Sequence, residues 1–546
     1  MRSTRLIIVT GIVCSLALAD STLHTRDLRV ATAAMQSDRE GVKSLIQQKA
    51  DVNAAQGDGM TALHWAAFKD DIEMARVLVA AGAGVKSVTR VQTLTPLMLA
   101  STNGNAALME LLVKAGSDVN KAKADGTTVL MAAAGSGSVE AVTLLLDRGA
   151  AINATEAARG QTALMFAAAL NRAEVVRTLV ARKADLNVTS KVSKLIKMRY
   201  DEDGNPVAPA TETVPANPAT TANRSGATAM GGMTALLYAA RDNHIETVKT
   251  LVEAGADVNL VSVGDKTSPL VMAIENGHYA VGKYLLERGA KPNLANEFGL
   301  AALYATIDAQ WAPTGWAPNP ITAQEPVSHL ELMEALLKAG ADPNQKLQRK
   351  LWFRPLTHDQ QWIGTAGSTA FWRAAQGTDA KAMRLLLQYG ADPKITSLLG
   401  DTPLMMAAGL GFAGQFTQSD AAGWVDAVKI CLEQGIDVNS VDSLGYTAVM
   451  GASWRGNNEL IQMLVDKGAK LDVRSKRGWN VTDMANAPSL RSSVPFPHPD
   501  TIAYLVKIGA PALTAHENEP ILGIIKGAAA TAPKEPGATT PPSVKK

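Results

Sequence analysis

The chain has 546 residues, room for three or four ordinary globular domains at about 150 residues each. Hydrophobic residues make up 47% but aromatics only 5%, so the apolar fraction comes from Ala, Leu and Val, the profile of packed helices, which excludes a β-sandwich and a disordered chain. Lys plus Arg total 53 against 51 for Asp plus Glu, which excludes a global attraction to nucleic acid or an anionic membrane; two cysteines, Cys14 and Cys431, are too few for a disulfide framework or a thiolate metal cage.

Residues 1–19 read as a secretory signal peptide: Arg2 and Arg5, an apolar run at 6–18, and the small-residue cleavage site Ala17-Leu18-Ala19. The run is too short for a bilayer span and no stop-transfer pattern follows, so no transmembrane anchor is expected after cleavage. Bulky Ile12 and Val13 before Cys14 argue against lipidation. The expectation is an exported protein, periplasmic or secreted, of a Gram-negative bacterium. Its remaining thiol, Cys431, lies in an apolar helical run and is expected to be buried and inert.

From residue 25 to 512 the chain repeats itself. Gly-x-Thr-x-Leu segments align on Thr61, Thr95, Thr128, Thr162, Thr234, Ser268, Ala301, Thr369, Thr402, Thr447 and Asn480, and seven of the ten intervals are 33 or 34 residues. A glycine closing a Leu-rich phrase falls 21 residues after the anchor at Gly82, Gly116, Gly149, Gly255, Gly289, Gly390 and Gly468, and an atypical first unit starts at Leu28, giving about twelve units.

The anchor Thr is an N-cap, with Pro following at Pro96, Pro269 and Pro403, where a missing N–H costs nothing. Alanine pairs such as Ala66-Ala67 and Ala407-Ala408 let first helices approach closely, and the glycine ends a second helix in a left-handed cap. Ala-Asp-x-Asn phrases, as at Asp257-Val258-Asn259, then supply turn chemistry for an extended finger.

The phrase Asp58-Gly59-Met60-Thr61-Ala62-Leu63-His64-Trp65-Ala66-Ala67 resembles the ankyrin repeat. The resemblance implies an all-α solenoid of helix-turn-helix units with hairpin fingers, binding other proteins on a concave face. One departure is that the family's His survives only as His64, with Met98, Met131, Met165, Met405 and Met450 in its place, expected as core. His244 and His278 resemble the family's Gly-His turn and are expected to be structural.

Long loop insertions interrupt the array near 188–231, 308–327, 345–366, 411–424 and 487–498, and a short cap and disordered tail are expected at 513–546. The first insertion opens with a basic, apolar run containing Lys194, Lys197, Arg199 and Tyr200, followed by a Pro, Thr and Ala-rich stretch that reads as mobile. Six of the nine tryptophans, 311, 316, 352, 362, 372 and 424, fall within about a fifth of the chain. Trp311, Trp316, Trp352, Phe353, Arg354, Trp362, Trp372, Phe412, Phe416 and Trp424 are therefore the partner-binding candidates. They either pin the loops onto the repeats, anchor a protein partner, or stack a glycan or small ligand.

The chain lacks His-Glu-x-x-His, Cys-x-x-Cys and phosphate-loop patterns, so no catalytic residue, metal or cofactor is expected. The weak exceptions are His358 beside Asp359 and the acidic run at 201–203. The reading is a non-catalytic, exported scaffold with an unknown protein partner and no nucleic acid; the alternative is a glycan or small-ligand receptor using the tryptophan-rich insertions.

Overall fold

The computed structural model describes residues 27–194, 199–200, 206–207, 229–313, 319–349, 351, 363–412, 417–486 and 497–514, with backbone only at 199–200 and 206–207. The signal segment, the acidic run at 201–203, His358 with Asp359, and the tail from 515 lie outside the described residues. The chain divides into two compact units, Met1–Ala124 and Asp125–Lys546. Among the described residues helices come in successive short pairs, three pairs in the first unit and nine in the second.

Capping chemistry explains where the first helix of each pair begins. The hydroxyls of Thr61, Thr95, Thr162, Thr234, Ser268, Thr402 and Thr447 each accept a backbone N–H three residues on, satisfying a donor the helix leaves free. Asn480 performs the same role through a capping box with Asp483, whereas Ala301 supplies no side-chain cap. The second helices end on left-handed residues such as Gly82, Gly289 and Gly390. A Cβ at these glycines would meet nothing, so backbone conformation rather than space demands glycine there.

In the first unit the helix Arg29–Met35 packs on Ala62–Phe68, and that on Pro96–Asn103. In the second, first helices from Val129–Ser136 to Val481–Ala485 form an unbroken file, each against the next. Ala163–Ala169 packs directly on Ala235–Arg241, so the long insertion between them is looped out without opening the stack. The interface is built from small residues: Ala66, Ala67, Ala167, Ala168, Ala239, Ala240, Ala407 and Ala408 are completely buried. Met98, Met131, Met165, Met405 and Met450 are buried too, as core. Interior leucines such as Leu145, Leu179 and Leu251 are fully enclosed, each contributing about 2 kcal/mol by burial. Cys431 is also fully buried, and desolvation pushes its thiol well up, so it is inert.

Fingers connect the pairs. Backbone hydrogen bonds close the turns, as from Ser262 N to Thr267 O and from Asp442 N to Tyr446 O, and others join adjacent fingers, as from Ser443 N to Leu399 O. The 188–231 insertion, which the sequence marks as a loop, carries short strand pairs: Val192–Lys194 pairs antiparallel with Ala229–Gly231, and Arg199–Tyr200 with Pro206–Val207. Facing backbone groups with no helix to join find partners in each other.

Candidate interaction surface

In the second unit two edges are built differently. The first is the edge of turns between the two helices of a pair. His244, His278 and His498 stand at second-helix N-caps and make no side-chain cap bond. Instead each ring donates an N–H across to the preceding turn: His244 Nδ1 to Ala168 O at 2.9 Å, His278 Nε2 to Arg241 O at 3.0 Å and His498 Nε2 to Trp454 O at 3.2 Å. The structural role expected for His244 and His278 is what the geometry shows. His498 was not singled out in the sequence because Pro497, not Gly or Asn, precedes it.

The described part of the 308–327 insertion folds back on its neighbours along this edge. Glu325 Oε2 accepts the Ala280 N–H at 3.0 Å, supplying the cap that His278 does not, and Oε1 accepts from Asn243 at 3.3 Å. Trp311 Nε1 donates to Asp379 Oδ2 at 3.0 Å, and His329 Nε2 meets the same oxygen at 2.8 Å. Burial raises the Asp379 carboxyl, but the bonds from His329, Ala382 N and Trp311 outweigh it and hold it below its ordinary value. Arg373 Nε lies 3.0 Å from Asp308 Oδ1, both side chains nearly enclosed, and its Nη2 donates to Trp311 O at 2.6 Å.

The 411–424 insertion is tied in turn. Thr378, held at φ +50, donates its hydroxyl to Asp420 O at 2.7 Å. This left-handed conformation is costly for a β-branched residue and persists because the surrounding contacts fix it. Phe412 and Trp424 meet edge to face at 6.1 Å, and the Arg455 guanidinium lies 3.6 Å from the Trp424 ring centre and 4.2 Å from that of Phe412. Nε and Nη1 of Arg455 have no hydrogen-bond partner, and burial pushes the group down to about 9.

These contacts sort the aromatic candidates. Trp372 requires a correction: it is fully buried, with Nε1 donating to Asp401 O at 2.9 Å, because it sits on the core face of a first helix rather than in an insertion. Trp311, Phe412 and Trp424 are half-buried and occupied by partners within the chain. Trp316, Trp352, Phe353, Arg354, Trp362, Phe416 and Lys197 lie outside the described residues. Lys194 is exposed on its short strand, while Arg199 and Tyr200 are described by backbone only, paired with 206–207.

The second edge carries the fingers. Here the Asn that closes Ala-Asp-x-Asn, or its variants Ala-Lys-Pro-Asn and Ile-Asp-Val-Asn, does more than form a turn, since it bridges to the next pair's glycine cap. Asn259 donates to Gly289 O at 3.1 Å and accepts from Lys291 N at 2.8 Å; Asn293, Asn344 and Asn439 repeat this on Gly340, Gly390 and Gly468. The recurring Asn was visible in the sequence, but its partner about 30 to 50 residues onward was not. The fingers also leave apolar side chains in water, Leu398 at 76% exposure, Val441 at 52% and Val263 at 46%. Among the described residues no three His, Cys, Asp or Glu side chains gather as a metal-ligand set, and no helix is long and apolar enough to cross a membrane.

Comparison with known proteins agrees with this architecture. The family model described as ankyrin repeats (3 copies) matches residues 30–123, 97–190, 215–296 and 371–475. The chain is similar to rat ankyrin repeat and SAM domain-containing protein 6, 33% identical over 97 residues, which is 17% of this chain and 10% of that protein. It is similar to alpha-latrocrustotoxin-Lt1a of Latrodectus tredecimguttatus, 26% identical over 264 residues, 47% of this chain and 16% of the toxin. It also matches human mitochondrial disaggregase, 33% identical over 183 residues, 31% of this chain and 24% of that protein. The chain therefore spans only a tenth to a quarter of the length of these relatives. Among solved structures the human ASB11 ankyrin repeat domain aligns at 22% identity and a TM-score of 0.37, over 48% of this chain and 98% of that one. With family matches spread over more than half of its length, the chain belongs to the ankyrin-repeat proteins.

Proposed function

We propose that this chain is an exported scaffold of about twelve ankyrin repeats that binds a protein partner and catalyses nothing itself. The partner lies across the fingers and first helices of the second unit. The observation that carries this is that successive fingertips expose Leu398, Val441 and Val263 on one repeated frame, whereas the described insertion aromatics are engaged inside the chain and the turn edge exposes Leu170 and Ile321. Exposed apolar side chains on a rigid frame are what an interface core needs, and the polar rungs beneath them fix their positions. A glycan receptor would need free aromatic faces, so that reading rests on Trp316, Trp352 and Trp362, outside the described residues. Export rests on the sequence of residues 1–19; N-terminal sequencing of protein recovered from its source should begin just after Ala19.

Photo-crosslinkers placed at 263, 398 and 441, against controls at 321 and 389, test the surface. Crosslinks should concentrate at the finger positions, and Leu398→Asp with Val441→Asp should weaken partner binding at least tenfold while leaving the helical signal unchanged. Full binding by that double variant would overturn the reading.

A further inference from the structure

In most fingers a side chain near the base accepts N–H groups of its own turn. Asn296 Oδ1 takes those of Phe298 and Leu300. At position 442 the acceptor is a carboxylate: Asp442 Oδ1 takes the N–H of Leu444 at 2.8 Å and of Tyr446 at 2.7 Å, and Oδ2 has no donor. The preceding finger carries a second carboxylate. Asp401 Oδ2 accepts from Ser397 Oγ at 2.7 Å and from Gly364 N at 3.1 Å, and Oδ1 has no donor.

Both residues are buried, Asp401 fully and Asp442 to 5% exposure, and their fingers touch at this point: Ser443 N donates to Leu399 O at 2.7 Å, a Cβ at Gly400 would stand 3.5 Å from the Asp442 Cα, and each carboxyl acts on the other. The finger itself does not require Asp401. The residues before the other anchors include Met60, Leu94, Gln161, Leu300, Tyr446 and Trp479, none of them a carboxylic acid. Two ionised carboxylates cannot face each other in an enclosed site, and one proton between the two orphan oxygens satisfies both.

We propose that Asp401 and Asp442 share one proton, and that its loss as pH rises is a built-in switch loosening both fingers and the tie to Gly364. This stands independently of the partner reading. The groups facing the pair are Ser397, the Gly364 N–H, the Trp372 indole on the Asp401 carbonyl, and the Tyr446 phenol, itself pushed up to about 12 by burial; Arg477 acts on Tyr446 from the next finger. Among the described residues no cation hydrogen-bonds either carboxylate.

Burial above all, then the charge of Asp401, pushes Asp442 up to about 7, and burial also raises Asp401. The closed fingers thus hold a proton that opened ones release above the usual carboxylate range, near pH 4. The opening equilibrium rises about tenfold per pH unit across that interval and levels off beyond the folded value.

Hydrogen exchange of the full chain, corrected for intrinsic rates, tests this. From about pH 5 to pH 7, protection at Leu444, Tyr446 and Gly364 should fall about tenfold per unit, while Phe298 and Leu300 on Asn296 stay flat. In Asp401→Asn the Nδ2 group donates permanently to Asp442 Oδ2, so the dependence should vanish; Asp442→Asn should flatten it too. Flat protection in the wild type, an equal slope at Phe298 and Leu300, or an unchanged slope in a folded variant would overturn the proposal. If neither variant folds, the wild-type contrast between the two sets of amides decides.

Discussion

Arg455 is enclosed with two orphan donors and, among the described residues, no acid paired with it, its compensation coming from the faces of Trp424 and Phe412. Removing a buried charge while keeping the apolar stem often costs nothing. Arg455→Met should therefore leave stability unchanged or raise it by on the order of 1 kcal/mol in urea unfolding. A loss above about 2 kcal/mol would show that the cation–aromatic contacts outweigh the desolvation. The half-buried His278 is neutral: burial above all lowers it, and the ring donates to Arg241 O as an uncharged imidazole. Acid thus weakens this contact, because an unfolded His takes up a proton before the folded one does, the reverse of the sign at Asp442.

At the scale of elements, the helix pairs are joined by repeated single links rather than by broad polar networks. An Asn rung both donates and accepts, so its loss strands a carbonyl and an amide at once. Asn344→Ala frees Gly390 O and Asp392 N, and should cost about 1–2 kcal/mol in chemical denaturation. Exchange should rise at Asp392 and not at distant fingers such as Ser262. At position 394 Lys replaces the rung Asn, and no equivalent bond follows there, which leaves that junction with one tie fewer.

Within each unit, among the described residues, helix pairs pack chiefly against the pairs next to them, so damage should stay local. Trp372 is among the largest fully buried side chains, and it joins the helix Ala370–Gln376 to the following finger. Trp372→Ala should cost about 3–5 kcal/mol. In a linear array this loss should split or broaden the urea transition rather than shift one sharp step, as followed by circular dichroism. A single cooperative transition moved intact would show coupling beyond nearest neighbours.

Most of the fold was legible in the sequence because its determinants are local. Thr caps, left-handed glycines, alanine pairs and a 33-residue period each act within one unit or on the next, so one register predicts the others. The aromatic candidates were legible as a concentration of tryptophan, but not as sites. Whether Trp372 faced the core or Trp311 faced water depended on Asp401 and Asp379, brought near by stacking rather than by sequence distance. The paired carboxylates of Asp401 and Asp442 are 41 positions apart, each unremarkable in its own turn. The sequence by itself determined the repeating unit, since capping and helix packing are short-range; only the tertiary structure decided which polar groups lost water together, because desolvation depends on neighbours from separate repeats.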